Sequence, residues 1–298
     1  MNQKADPSRQ PGREAFAGAD VGATLTKLVL LDADGCLQYR LIPSHAIEQV
    51  AQEVEQLRPV RVGLTGGGAP RLDRLLSLDT VRLPEFDALL AGANELLKRQ
   101  GEPACERQLL VSVGTGTTVL LAEGEKVRRV GGTALGGGTI LGLASLLLGT
   151  TDFSEVVGLA IRGDRRRVDL LVADIYRGEA EPLPGGLNAS SFGKLARAAG
   201  AEEPQPADLA HALIGLVGEN VAGLCAALAA ATGAKRIVFG GSTLRDNAPL
   251  LEILGSLALM NQVPVFMTNG EFAGAVGALL RSSVPAGPAR SPAPRQAG

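Results

Sequence analysis

Four short segments of the chain carry residue types suited to holding negatively charged oxygens. They are DVGAT (20–24), GTGTT (114–118), LGGGT (135–139) and FGGST (239–243). Each joins small residues to a hydroxyl. Glycine bares backbone N–H groups, Thr or Ser adds a donor, and together they form sites for phosphate-like anions. Each segment could equally be only a tight turn, but four in one chain, all leading to Thr or Ser, favour the anion-binding reading. The third lies in VGGTALGGGTILG, Val130–Gly142, with six glycines in thirteen residues. It runs straight into an apolar segment, so the free amides of a helix start follow the glycines at once.

Charged residues stand close to these turns. Asp20 closes the first segment's strand, where a carboxylate could hold Mg²⁺ directly or through water. Lys27 could neutralise a phosphate oxygen; the plainer alternative is a turn-forming Asp and an outward-facing Lys. Glu85 follows Pro84 at a helix start, a place the helix dipole offers to any acidic residue; the functional alternative is a base aimed at an acceptor hydroxyl. Arg128-Arg129 is either a surface pair or a carboxylate clamp, since guanidinium matches carboxylate geometry. Arg165-Arg166-Arg167 reads as a solvated helix start. His45 and His211 have no partners in sequence.

Several classes are disfavoured. There is no GxxxxGK[ST], and no GxGxxG opening a helix ahead of an acidic residue, which counts against P-loop and dinucleotide-binding folds. Lys+Arg 29 against Asp+Glu 31 gives a net charge of −2, and there is no Trp, so neither a basic field nor an aromatic platform points to nucleic acid. Cys36, Cys105 and Cys225 are far apart and odd in number. That fits reduced thiols in a cytoplasmic protein and excludes a CxxC site. Residues 1–14 are polar and do not read as a signal peptide. The longest apolar run, near Ile140, is about ten residues, too short to span a bilayer.

Elements must position these groups, and their order is legible. FAGADVGATLTKLVLLDADGCLQYRLI reads as three strands joined by turns at Gly22-Ala23-Thr24 and Asp34-Gly35. QLLVSVGTGTTVLLAEGEKVRRVGG repeats that plan, with turns at Gly114-Thr115-Gly116 and Glu123-Gly124. Two meanders, each opening with a Gly/Thr-rich turn and each followed by helices, suggest an internal duplication. Helices are expected at PEFDALLAGANELLKR, at DFSEVVGLAIRG behind an Asp152/Glu155 capping box, across RRVDLLVADIY, at about 207–231, around 247–258 and at FAGAVGALLR. KRIVFGG and PVFMTNG read as strands. The class is α/β, with polar, Pro-rich tails at 1–14 and 282–298 expected to be disordered.

These motifs together resemble the type II pantothenate kinases over about residues 17–281. The resemblance rests on GADVGATLTKLV, LTGGGAPRL, EFDALLAG, VSVGTGTTVLL, RRVGGTALGGGTILGL, RGDRRRVDLLVADIY, ASSFGKL, IVFGGSTLRDN and NGEFAGAVGALL. It implies a duplicated actin/hexokinase-like (ribonuclease H-like) fold with a nucleotide cleft between two lobes. The lobes would run 15–105, with the phosphate loop and catalytic carboxylate, and 106–281. It also implies ATP- and Mg²⁺-dependent phosphorylation of pantothenate, a homodimer, and coenzyme A or its thioesters as candidate inhibitors. By the resemblance, Glu85 matches the catalytic carboxylate, and Asp20, Gly22, Thr24 and Lys27 match the first phosphate loop and its metal. Thr115, Gly137, Gly138, Thr139, Phe153 and Ser242 match nucleotide contacts; Arg129 and Thr118 match the pantothenate end. One departure stands out: Ala23 replaces a glycine of the usual DxGGT, which would matter if that backbone needs positive φ. The alternatives are a sugar or N-acetylhexosamine kinase of the same fold and a catalytically silent nucleotide-binding relative.

Overall fold

The structure, a computed structural model, describes residues 15–31, 35–176, 184–197, 204–257 and 261–283. They fall into two units: one runs to Gly92 and resumes at Gly274, and the other is Ala93–Ala273.

In the first unit, β1 (Phe16–Val21), β2 (Leu25–Leu31) and β3 (Leu37–Pro43) form an antiparallel meander. β4 (Arg61–Thr65) then pairs parallel to β1, and β5 (Thr80–Arg82) parallel to β4, giving the order β3-β2-β1-β4-β5. α1 (Ile47–Leu57) buries Ile47, Val50, Ala51 and Val54, the i, i+3, i+4, i+7 stripe of an amphipathic helix. α2 (Ala69–Asp73) follows β4, and α3 (Glu85–Arg99) carries the chain into the second unit.

There, β6 (Arg107–Val113), β7 (Thr117–Glu123) and β8 (Lys126–Thr133) form another antiparallel meander, followed by α4 (Gly137–Leu147) and α5 (Phe153–Arg162). β9 (Leu170–Leu171), α6 (Val172–Tyr176) and β10 (Asn188–Ser190) form a small excursion in which β9 and β10 pair. α7 (Pro206–Thr232), β11 (Ile237–Gly240), α8 (Ala248–Gly255) and β12 (Pro264–Phe266) complete the unit. β11 lies parallel to both β6 and β12, so the order is β8-β7-β6-β11-β12. Position for position this repeats the first sheet, in order and in strand direction. The duplication expected from the two meanders is therefore a repeated sheet topology.

α7 is long and apolar enough to cross a membrane by length and composition, but most of its apolar window is buried. Leu213, Ile214, Val217, Val221 and Cys225 face the second unit's core with β6, β7 and β11 residues, so it packs as a core helix. Burial pushes the Cys225 thiol up to about 12, which leaves it protonated and inert.

α9 (Ala273–Ser282) returns to the first sheet. It fits because Gly18 of β1 and Gly63 of β4 have no side chain: a Cβ on either would overlap the backbone of Ala275 or Ala278. The last helix therefore belongs with the first sheet, whereas the sequence division at 105/106 assigned it to the second lobe. RRVDLLVADIY is helical only over Val172–Tyr176. Asp164 caps a single 3-10 turn at Arg165–Arg167, and Leu170–Leu171 then pairs with β10. Arg165 is no solvated side chain: it turns inward to Asp169 and Glu219. Asp34 of the expected Asp34-Gly35 turn lies outside the described residues, as do both tails apart from Ser282 and Ser283.

Candidate active site

The first unit gathers three of the expected residues. Asp20 and Lys27 are cross-strand partners on β1 and β2, with Oδ2 and Nζ 3.7 Å apart. Loss of solvent raises the Asp20 carboxyl above its ordinary range, and Lys27 offsets only part of that rise. Two glycines make room for this carboxylate. Gly66, at φ +87°, would place a Cβ 2.6 Å from Asp20 Oδ1, and Gly274, in the first turn of α9, would place one 3.0 Å from Oδ2. Glu85 is set by the end of β4. The Leu83 amide donates to Leu64 O at 2.9 Å, and the buried Thr65 hydroxyl donates to Leu83 O at 3.1 Å. That fixes the chain just ahead of Pro84 and starts α3 at Glu85. The Glu85 carboxyl is raised, first by partial loss of solvent and then by the Asp20 charge, with Lys27 pulling the other way.

The turn between β1 and β2 holds Gly22, Ala23 and Thr24, the last two exposed. Ala23 is not among the positive-φ residues, so the departure from DxGGT brings no backbone strain. The turn is braced from outside: the Ser44 hydroxyl donates to Gly22 O at 2.8 Å, and its amide donates to Thr24 O at 2.9 Å. Nothing in the sequence marked Ser44.

In the second unit three of the glycine segments converge on one atom. Gly114 O accepts from the Gly137 amide at 2.8 Å and from the buried Thr243 hydroxyl at 2.8 Å. The Gly138 amide donates to Thr115 O at 2.9 Å, and the Thr139 hydroxyl donates to Ala134 O at 3.1 Å. The sequence reading turns these donors toward a phosphate; in this structure Gly137, Gly138 and Thr243 tie the loops to one another, and Thr139 closes back on its own loop. The glycines serve that packing, because a Cβ at Gly136 would sit 2.7–2.8 Å from Gly116 Cα, Thr115 O and Gly114 O. Thr115 is exposed at the tip of the turn, Ser242 is half-buried in the next loop, and Phe153 packs against the unit's core from the start of α5.

Arg129 and Thr118 come together through a bulge. The β7–β8 register shifts between Val119 and Leu120, so Thr118 pairs with Gly132 and Leu120 with Arg129. That extra residue puts Arg129 and Gly132 on the face that carries Thr118, and a Cβ at Gly132 would sit 2.7 Å from the Arg129 guanidinium. Arg128, next door, falls on the other side.

The RGDRRRVDLLVADIY and ASSFGKL motifs build a polar network. The fully buried Asp169 accepts the Phe192 amide at 2.9 Å and lies 3.3 Å from Arg165 Nε. Glu219, paired with Arg165, accepts Asn188 Nδ2 at 2.8 Å. Burial raises the Asp169 carboxyl. His211, silent in the sequence, hydrogen-bonds Gly163 O at 2.8 Å through Nδ1.

A sheet of this order used twice, with a Gly/Thr-rich turn after the leading strand of each copy, is the actin–hexokinase arrangement. Solved structures agree in fold. Component A of (R)-2-hydroxyglutaryl-CoA dehydratase from Acidaminococcus fermentans has a TM-score of 0.60 at 17% identity, covering 90% of this chain and 97% of that one. A ROK family glucokinase from Streptomyces griseus, solved with glucose and AMPPNP, has a TM-score of 0.54 at 15% identity, covering 90% and 99%. The Fumble family model matches residues 36–281. The type II pantothenate kinase of Bacillus cereus strain G9842 is 34% identical over 274 residues, 91% of this chain and 99% of that protein. The chain belongs to the Fumble family, within the type II pantothenate kinases.

Proposed function

We propose that the protein transfers the γ-phosphoryl group of ATP to the primary hydroxyl of pantothenate, forming 4'-phosphopantothenate, the first step of coenzyme A biosynthesis. The observation that carries this reading is the Asp20–Lys27 pair with Glu85 in its field, in a chain of this family. Phosphoryl transfer passes through a loose transition state, so alignment and charge neutralisation supply most of the catalysis. Lys27 and the Gly22–Thr24 turn hold the triphosphate. Glu85 orients the acceptor hydroxyl and takes its proton late, because an alcohol is too weak an acid to be deprotonated early by a carboxylate. Arg129 pairs with the pantothenate carboxylate beside Thr118. Thr115, the Gly137–Thr139 segment, Phe153 and Ser242 lie along the nucleotide.

Mg²⁺ fits the donor set. The described residues contain no cluster of three or more His, Cys, Asp or Glu able to cage a metal, while Asp20 offers one partly accessible carboxylate. One carboxylate, directly or through water, together with substrate phosphates is the usual Mg²⁺ environment. The ion would supply charge neutralisation on the phosphates. The same reading takes the enzyme as a cytoplasmic homodimer.

ADP release measured with pantothenate, N-acetylglucosamine and glucose as acceptors tests the assignment. Turnover with pantothenate alone is expected. Turnover with a sugar and none with pantothenate overturns it.

A further inference from the structure

We infer that Ser44 is a positioning residue for phosphoryl transfer, aiming the Ala23 amide at the nucleotide phosphates. The inference rests on the reading of Gly22–Thr24 as a phosphate loop.

Ser44 directly follows β3, one residue past the last ladder pair of β2 and β3, Leu25 with Pro43. Its amide extends that ladder by donating to Thr24 O at 2.9 Å. Its hydroxyl donates to Gly22 O at 2.8 Å. The hydroxyl of Thr26, a fully buried residue, lies 3.2 Å from Ser44 Oγ. Since the Ser44 proton goes to Gly22, the Thr26 proton goes to Ser44, and the two hydroxyls form a relay ending on the loop carbonyl. Successive hydrogen bonds of this kind polarise one another.

The consequence follows from the planar trans peptide, whose carbonyl and N–H point in opposite directions. Holding Gly22 O toward Ser44 turns the Ala23 N–H away from it, to the other side of the turn. Holding Thr24 O does the same for the Leu25 amide. A turn pinned at two of its carbonyls loses little further freedom when an anion binds. Without the Ser44 hydroxyl the Gly22–Ala23 peptide is free to rotate, and its N–H must be reoriented at each binding event. The penalty falls on nucleotide affinity and leaves the acceptor side untouched.

Steady-state kinetics and thermal melts of Ser44→Ala, Ser44→Cys and Ser44→Thr test this. Ser44→Ala is expected to raise the KM for ATP roughly 5- to 20-fold, the effect of losing an orienting hydrogen bond. Its kcat should stay within about 3-fold and its KM for pantothenate within about 2-fold, because the acceptor side keeps its contacts. Ser44→Cys, isosteric with a weak donor, should behave as Ser44→Ala and decides the matter if the alanine variant does not fold. Ser44→Thr should restore the wild-type KM. Lys27→Ala is measured alongside. If it raises the ATP KM while Ser44→Ala and Ser44→Cys do not, the brace is wrong and the loop reading stands. If none of the three moves the ATP KM, the loop reading is wrong and the brace falls with it. A proportional rise in both KM values, or a drop in melting temperature with no kinetic split, also overturns the positioning role.

Discussion

Asp20 and Lys27 stand opposite each other on β1 and β2, with 3.7 Å between Oδ2 and Nζ, yet the Asp20 carboxyl is raised rather than lowered. Desolvation of the carboxylate outweighs the attraction of its partner. A carboxyl raised on folding binds protons more tightly in the native state. Its ionisation therefore costs stability as pH rises from the unfolded value near 3.8 through the raised native value.

Asp20→Asn removes that cost. The variant should melt above the wild type at pH 7, a gain that fades toward pH 4, while turnover falls sharply. Circular-dichroism melts at the two pH values check this. A lower melting temperature at pH 7 would mean that the Lys27 attraction dominates after all.

Glu85→Gln should lower kcat by roughly 10²-fold or more, with ATP binding little changed. In the wild type the acid limb of kcat should lie above the ordinary carboxylate range, because loss of solvent and the Asp20 charge both raise Glu85. Activity appears as pH climbs through that raised value. A near-normal kcat in the Gln variant would remove Glu85 from the reaction.

Two glycines in one segment should respond in opposite ways. Gly136→Ala places a methyl against three backbone atoms of the 114–116 turn, none of which is a flexible side-chain end. It should cost about 3 kcal/mol or more, as overpacking does. Gly142→Ala, within α4 with nothing inside 4 Å of the new methyl, should stabilise by about 0.5–1 kcal/mol through helix propensity. Urea denaturation of both variants reads the contrast.

Ala23→Gly should leave activity within about 2-fold and lower stability by about 0.4–1 kcal/mol, since the native φ suits alanine and glycine only adds freedom to the unfolded chain. Recovery of activity from an inactive parent would show that the methyl obstructs the phosphate site.

Arg129→Lys keeps the charge and loses the planar fork. It should raise the KM for pantothenate about tenfold, the value of one bidentate contact, with the KM for ATP unchanged. A change confined to the ATP KM would place Arg129 at the nucleotide instead.

Much of this was open to reading in the chain itself. Period-two apolar runs broken by Gly/Thr turns marked both meanders, and Asp152 announced α5 through its side-chain cap. What the sequence concealed are contacts between distant segments. Thr243 reaches Gly114 across 129 positions, and nothing local indicates that its hydroxyl ends there. Gly18 and Gly63 look like ordinary strand glycines until α9 lies on them. RRVDLLVADIY is helical only in its last five residues, α6: the Asp164 cap and pairing with β10 take the part before it. The glycine-rich run reads in sequence as leaving space for a ligand. Part of that space is filled by the protein's own neighbouring loops.

The return of α9 to the first sheet also sets an order of completion during synthesis. Domains commonly fold from the N-terminus as the chain emerges. Here β1 and β4 leave the ribosome early with the clefts at Gly18 and Gly63 uncovered, and their covering helix is made only at Ala273–Ser282. The second unit is translated whole in the interval, so the unit that begins first is finished last.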